Sequence, residues 1–188
     1  MPAFFVFGLS MGQELRSIYL VGLMGSGKTT VARLLAKRCG LHFVDSDHEV
    51  EARNGVNIPT IFEIEGEEGF RRREAQVIQD VVGQPAIVLA TGGGAVLRPE
   101  SRNALRNNGW VVYLNVPPED LYERTRHDKN RPLLQTTDPL SRLRDLYTQR
   151  DPLYREVAHL IVDGGRMGAS AIVNHILREY EKTCEHSA

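Results

Sequence analysis

The sequence predicts an α/β fold organised on a parallel sheet, and three observations predict it. Five apolar runs of strand length recur along the chain, and stretches with helical spacing separate them. A glycine-rich phosphate loop occupies the junction between the first run and the first helix. With 188 residues, of which 41% are hydrophobic, the chain suits one globular domain with a substantial core.

The elements follow in order. "SIYLVG" (17–22) is a short apolar strand that closes on glycine. "TTVARLLAKRCG" has helical spacing at Val31, Leu34, Leu35 and Cys39, and Gly40 stops it. "LHFVDSD" is a second strand, followed by a polar helix and by another helix at "EEGFRRREAQVIQDVVG". "AIVLA", "WVVYLNV" and "AHLIVD" complete the strands. Strands alternating with helices imply βαβ units and a sheet covered on both faces. Residues 1–16 read as a loosely ordered extension. Their apolar run, Ala3 to Leu9, is short and has neither a basic flank nor an A-x-A cleavage pattern. Residues 17–182 then form a single domain and 183–188 a short tail. The stretch 123–139 is long, polar and without period, which in a compact domain points to a functional loop.

Composition narrows the partners. The net charge is −1, from 23 basic against 24 acidic residues, so there is no electrostatic case for nucleic acid or an anionic membrane. Cys39 and Cys184 are too few for a disulfide framework or a zinc site, and they suit a reducing, cytoplasmic compartment.

"GLMGSGKT" (22–29) fits G-x-x-x-x-G-K-[ST] and stands between a strand and a helix, where its mechanism requires it. Its N–H groups turn around phosphate oxygens, and the helix dipole adds to them, so Gly25, Ser26, Gly27, Lys28, Thr29 and Thr30 are the expected triphosphate contacts. Lys28 suits the β/γ-phosphates and Thr29 suits Mg²⁺. No N-K-x-D guanine-reading motif is present, and the chain is small for a motor or helicase. Phosphoryl transfer from a nucleoside triphosphate to a small acceptor is the leading class.

Asp45 and Asp47, two apart at the end of the second strand, are expected on one side, beside the phosphate loop. One carboxylate suits magnesium near Thr29, and the other suits the acceptor hydroxyl as base or orienter. Capping of the next helix is the plainer alternative. Arg71, Arg72 and Arg73 cannot all face one site, because a helix turns about 100° per residue. In "LATGGGAV" (89–96), Gly92, Gly93 and Gly94 follow a strand, where something must need bare backbone.

In this order and with these gaps, "GLMGSGKT", "DSD", "GEEGFR", "TGGG", "RPLL" and "RDPLY" resemble shikimate kinase from about Ser17 to Tyr180. The resemblance implies a five-stranded P-loop kinase fold like that of nucleoside monophosphate kinases. It also implies transfer of the ATP γ-phosphate to the 3-hydroxyl of shikimate, in aromatic amino-acid biosynthesis, by a monomer. It places Asp45 in the magnesium shell, Asp47 on the shikimate hydroxyls, Arg71 and Arg150 on the carboxylate, and Gly93 against the acceptor. It makes residues 123–138 a mobile lid whose Arg131 meets the phosphates, with Arg124 near adenine. A last nucleotide contact falls at Arg166, where the chain departs from the family's pattern and Met167 takes the aligned position. Gluconate kinase and nucleoside monophosphate kinases share the fold and the loop. A non-catalytic nucleotide-binding module is the alternative of another class, and joint retention of Lys28, Asp47 and Arg131 argues against it.

Overall fold

The computed structural model describes residues 16–128 and 132–185. Within them five parallel strands form one sheet: β1 (Ile18–Val21), β2 (His42–Asp45), β3 (Ile87–Ala90), β4 (Trp110–Asn115) and β5 (Leu160–Asp163). Their order is β2-β3-β1-β4-β5. The helices between them are α1 (Lys28–Cys39), α2 (Ser46–Asn54), α3 (Ile58–Val82), α4 (Pro99–Asn108), α5 (Pro118–Thr125), α6 (Pro139–Val157) and α7 (Ala169–Glu185), with a 3₁₀ turn at Pro132–Leu134. The expected α/β architecture is therefore what forms.

β1 is the middle strand, paired with β3 on one side and β4 on the other, and all four of its residues are inaccessible to solvent. Its alternation divides the core. Tyr19 and Val21 join the apolar cluster that includes Phe70, Leu105 and Leu146, from α3, α4 and α6, whereas Ile18 and Leu20 join the one formed with α1 and α7. Strand order reverses at β1, so a crevice opens beyond its carboxyl end, where ligands bind in open α/β sheets.

Three local details differ from the sequence reading. Asp45 ends β2 and also caps α2, its side chain accepting from the N–H groups of Asp47 and His48. Asp47 consequently sits in the first turn of a helix and not on the strand, so period-two alternation is not what orients it. The two helices expected after β2 are present, but the second continues an earlier segment: α3 runs through a break at Gly66 (φ 69°, ψ −177°), a conformation open to glycine. α7 continues to Glu185, past the boundary drawn at residue 183. The expected N-terminal extension lies outside the described residues except for Arg16, and Arg131 lies outside them as well.

Gly109, between α4 and β4, has extended backbone and is required for space: a Cβ there would stand 2.4 Å from the Tyr19 ring and 2.8 Å from the Ser17 carbonyl oxygen. Tyr19 is itself fixed, its hydroxyl donating to Val82 O at 3.2 Å and Asn108 O at 3.0 Å. Gly109→Ala should cost about 1–3 kcal/mol of stability, the range for overpacking a core. Urea unfolding followed by circular dichroism measures it, and an unchanged midpoint would show that the Tyr19 ring yields freely.

Candidate active site

The phosphate loop leaves β1 at Gly22 and enters α1 through Gly27, a left-handed N-cap at φ 93°. Lys28 is folded against that loop. Its Nζ donates to the carbonyl oxygens of Gly22 and Leu23, both at 2.8 Å, and to Ser26 Oγ at 3.4 Å. The ammonium is thus held at the loop's centre, where a phosphate chain would arrive. Ser26 is buried beneath the loop, whereas Gly25, Gly27, Lys28, Thr29 and Thr30 line a cavity. Asp45 borders it too, and Thr29 Oγ1 donates to Asp45 Oδ2 at 2.9 Å. The capping and the metal-side readings of Asp45 therefore describe one residue with two oxygens in use.

A second cavity, of about 370 Å³, lies alongside, between α2, α3 and α6. Asp47 and Gly93 line both cavities. Arg71, Glu74, Gly94 and Arg150 line the second, with Phe62 and Phe70 supplying apolar wall. Of the three consecutive arginines, Arg71 alone is buried and turned inward. Its Nη1 donates to Glu74 Oε2 at 2.7 Å, while Arg72 is exposed and Arg73 pairs with Glu65 at the surface. Arg150 is 3% exposed, and its Nε and Nη1 are buried without a hydrogen-bond partner, as are Asp47 Oδ1 and Glu74 Oε1. Buried polar atoms are nearly always paired, so a guanidinium with two unpartnered nitrogens beside a cavity is a site made for an anion.

Two of the three glycines are required by these charged neighbours. A Cβ on Gly92 would lie 2.5 Å from both Asp47 Oδ1 and Glu74 Oε1, and one on Gly94 would lie 1.9 Å from Arg71 Nη1. At Gly93 the nearest atom would be Met24 N at 3.3 Å. None of the three has a positive φ, so close approach and not backbone conformation explains them.

Burial, reinforced by the charges of Glu74 and Asp45, pushes the Asp47 carboxyl up to about 7, against the pull of Lys28 and Arg71. Burial also raises Glu74, with Arg71 opposing it. Glu74 escaped the sequence reading, although its place three residues after Arg71 on a helix was the available signal. Arg124 lines the phosphate-side cavity and donates to the carbonyls of Gly164 at 3.1 Å and Gly165 at 2.8 Å. Arg166 is exposed and does not border that cavity, and Met167 borders a separate groove with Arg38 of α1 and Leu177 of α7.

Residues 24–181 match the family model described as shikimate kinase. The chain belongs to the shikimate kinase family. A shikimate kinase of Dechloromonas aromatica is 64% identical over 167 residues, covering 89% of this chain and 91% of that one. The solved shikimate kinase from Acinetobacter baumannii, in complex with shikimate, is 50% identical with a TM-score of 0.88, covering 90% of this chain and 94% of that one. A gluconokinase from Sinorhizobium meliloti, at 20% identity and a TM-score of 0.62 over 93% of this chain and 96% of that one, shares the fold alone. These matches favour shikimate kinase over gluconate kinase.

The raised Asp47 carboxyl has a consequence for stability. Unfolded, it ionises near 3.9, whereas in the native protein it holds its proton to about 7. Between those values the native state binds more protons, so this group makes stability fall as pH rises. In ligand-free protein Asp47→Asn should be at par near pH 4 and more stable than wild type at pH 8, by up to about 4 kcal/mol. Melting curves at the two pH values test this, and an equal shift at both would refute it.

Proposed function

We propose that the chain transfers the γ-phosphate of ATP to the 3-hydroxyl of shikimate, giving shikimate 3-phosphate and ADP. One observation carries the site assignment: Asp47 and Gly93 border both the phosphate-loop cavity and the cavity lined by Arg150, whose Nε and Nη1 lack a hydrogen-bond partner. An acceptor with a carboxylate at one end and hydroxyls at the other satisfies that mixture of charges. Its carboxylate meets Arg150 and Arg71, Glu74 keeps Arg71 in place, and its hydroxyls meet Asp47. Gly92, Gly93 and Gly94 form the floor against which the ring lies.

The chemistry that follows is positioning and charge stabilisation. Asp47 accepts a hydrogen bond from the acceptor hydroxyl and takes its proton as phosphorus–oxygen bond formation proceeds. Gly25, Ser26, Gly27, Lys28, Thr29 and Thr30 bind the phosphates, with Lys28 leaving its loop carbonyls for the β/γ-oxygens. Arg131 adds positive charge when the segment 123–138 closes over the nucleotide, and that closure excludes water. Arg124 packs near adenine, and Arg166 is a remoter candidate at the same end.

Thr29 and Asp45 are the residues that would hold Mg²⁺. Among the described residues no group of three His, Cys, Asp or Glu side chains could cage a metal. The fit is therefore to a magnesium ion that takes most ligands from phosphate and water. Bound there, it would neutralise charge on the phosphates. We further propose a cytoplasmic monomer with no nucleic-acid or membrane partner. No helix among the described residues is long and apolar enough to cross a membrane, and the net charge is −1.

A coupled ADP-release assay with shikimate, gluconate and nucleoside monophosphates tests the assignment. Shikimate should be the preferred acceptor, and preference for another would overturn the reading. Lys28→Ala should lower turnover by about 10² to 10³, the loss of one fixed electrostatic element. Activity within threefold of wild type would reject Lys28's role.

Arg150→Ala should cost roughly 2–5 kcal/mol in kcat/KM for shikimate, and Arg150→Lys should recover part of that loss. Against an acceptor whose carboxylate is replaced by hydroxymethyl, Arg150→Ala and wild type should differ little. Equal losses against both acceptors would place Arg150 elsewhere than on the carboxylate.

A further inference from the structure

The last residue of "RDPLY", Tyr154, is 1% exposed and carries no role in the chemistry above. It lies one helical turn after Arg150 on α6, so the two side chains share a face. Its ring packs on Tyr113 of β4 at 5.0 Å between centroids. Its hydroxyl donates to the carbonyl oxygen of Gly93. The Arg150 guanidinium interacts with the same phenol, opposing the burial that raises its pKa.

The glycine loop is otherwise anchored elsewhere. Gly92 N–H donates to Ser46 Oγ at 2.9 Å, Ala95 N–H to Gly92 O at 3.1 Å, and Leu97 N–H to Gly94 O at 3.0 Å. Those bonds tie the loop to α2 and to itself. Among the described hydrogen bonds, Tyr154 is what ties it to α6, the helix that carries Arg150. Three successive glycines have the greatest backbone freedom of any tripeptide, so an anchor on the central one matters. A trans peptide sets its C=O and N–H in opposite directions, and holding the Gly93 carbonyl therefore also aims the Gly94 N–H.

We propose that Tyr154 is a positioning residue for the acceptor, locking the Gly93–Gly94 peptide and the Arg150 guanidinium into one arrangement. The proposal rests on the reading of the second cavity as the shikimate site. It assigns Tyr154 no contact with substrate. It differs from a merely structural role, in which a buried tyrosine hydroxyl takes the nearest carbonyl as partner.

The test is Tyr154→Phe in the full-length chain, which keeps the ring on Tyr113 and removes the hydroxyl alone. Circular dichroism and a thermal melt establish that it folds. KM for shikimate should rise about tenfold to a hundredfold, the scale of a hydrogen bond to a charged site, with KM for ATP within twofold and kcat falling less than KM rises. In an Arg150→Ala background the same change should cost under about threefold, because residues acting through one another are not additive. Tyr113→Phe, which removes another buried hydroxyl, bonded to Asp151 at 2.9 Å, should leave both KM values within about twofold.

A lowered melting temperature with unchanged KM for shikimate would overturn the proposal, as would equal rises in both KM values or full additivity with Arg150→Ala. If wild type failed to phosphorylate shikimate in the same assay, the functional reading itself would fall, which is a separate result.

Discussion

The arrangement depends on a stretch of backbone without side chains. Four ionisable groups from three helices, Asp47 of α2, Arg71 and Glu74 of α3, and Arg150 of α6, converge on the loop that follows β3. A methyl group on Gly92 or Gly94 would occupy the position of a carboxylate or a guanidinium. Because those glycines stay bare, α2 can begin directly after β2 and set Asp47 against the loop, and α3 can press Arg71 into it. The helices around the crevice are therefore placed by how closely their charges approach one strand end.

That convergence strains the electrostatics. Asp47 and Glu74 are carboxylates with buried, unpartnered oxygens, and Arg150 has two buried, unpartnered nitrogens. Leaving such groups unpaired costs about 1–3 kcal/mol for each polar atom, and more when it is charged. The rest of the fold must supply that stability, and the solvent-inaccessible β1, apolar on both faces, is where it does so. A site in which attraction and desolvation are so nearly balanced answers strongly to a ligand that brings the missing charge.

Much of this was legible beforehand. Five apolar runs became five strands, and the G-x-x-x-x-G-K-T spacing marked its loop, because both signals are local. Asp47 borders the phosphate-loop cavity as expected, but the element carrying it was misjudged: alternation looked like a strand, whereas the Asp45 side chain caps a helix that starts at Ser46. Gly92 and Gly94 carry a further space requirement that went unread, since no sequence shows which side chain comes near. Glu74 stayed unread although its spacing of three from Arg71 on one helix was a local signal. Tyr154 stayed unread because a hydroxyl bonded across 61 residues of chain is a tertiary fact. Arg166 was carried by alignment alone, and the backbone after β5 turns it to solvent.

The place of β1 in the sheet has a consequence for how the chain is made. Ile18 pairs with Val88 on one side and Trp110 on the other, so the central strand is synthesised before either of its partners. Its apolar residues leave the ribosome with no partner until β3 and β4 have followed. At about 5–20 residues per second, that interval lasts several seconds. During it, "IYLV" is an unpaired, uncharged strand of the kind that associates with other chains. Protection of this nascent segment, by early packing of α1 or by a chaperone, is thus a requirement of the topology itself.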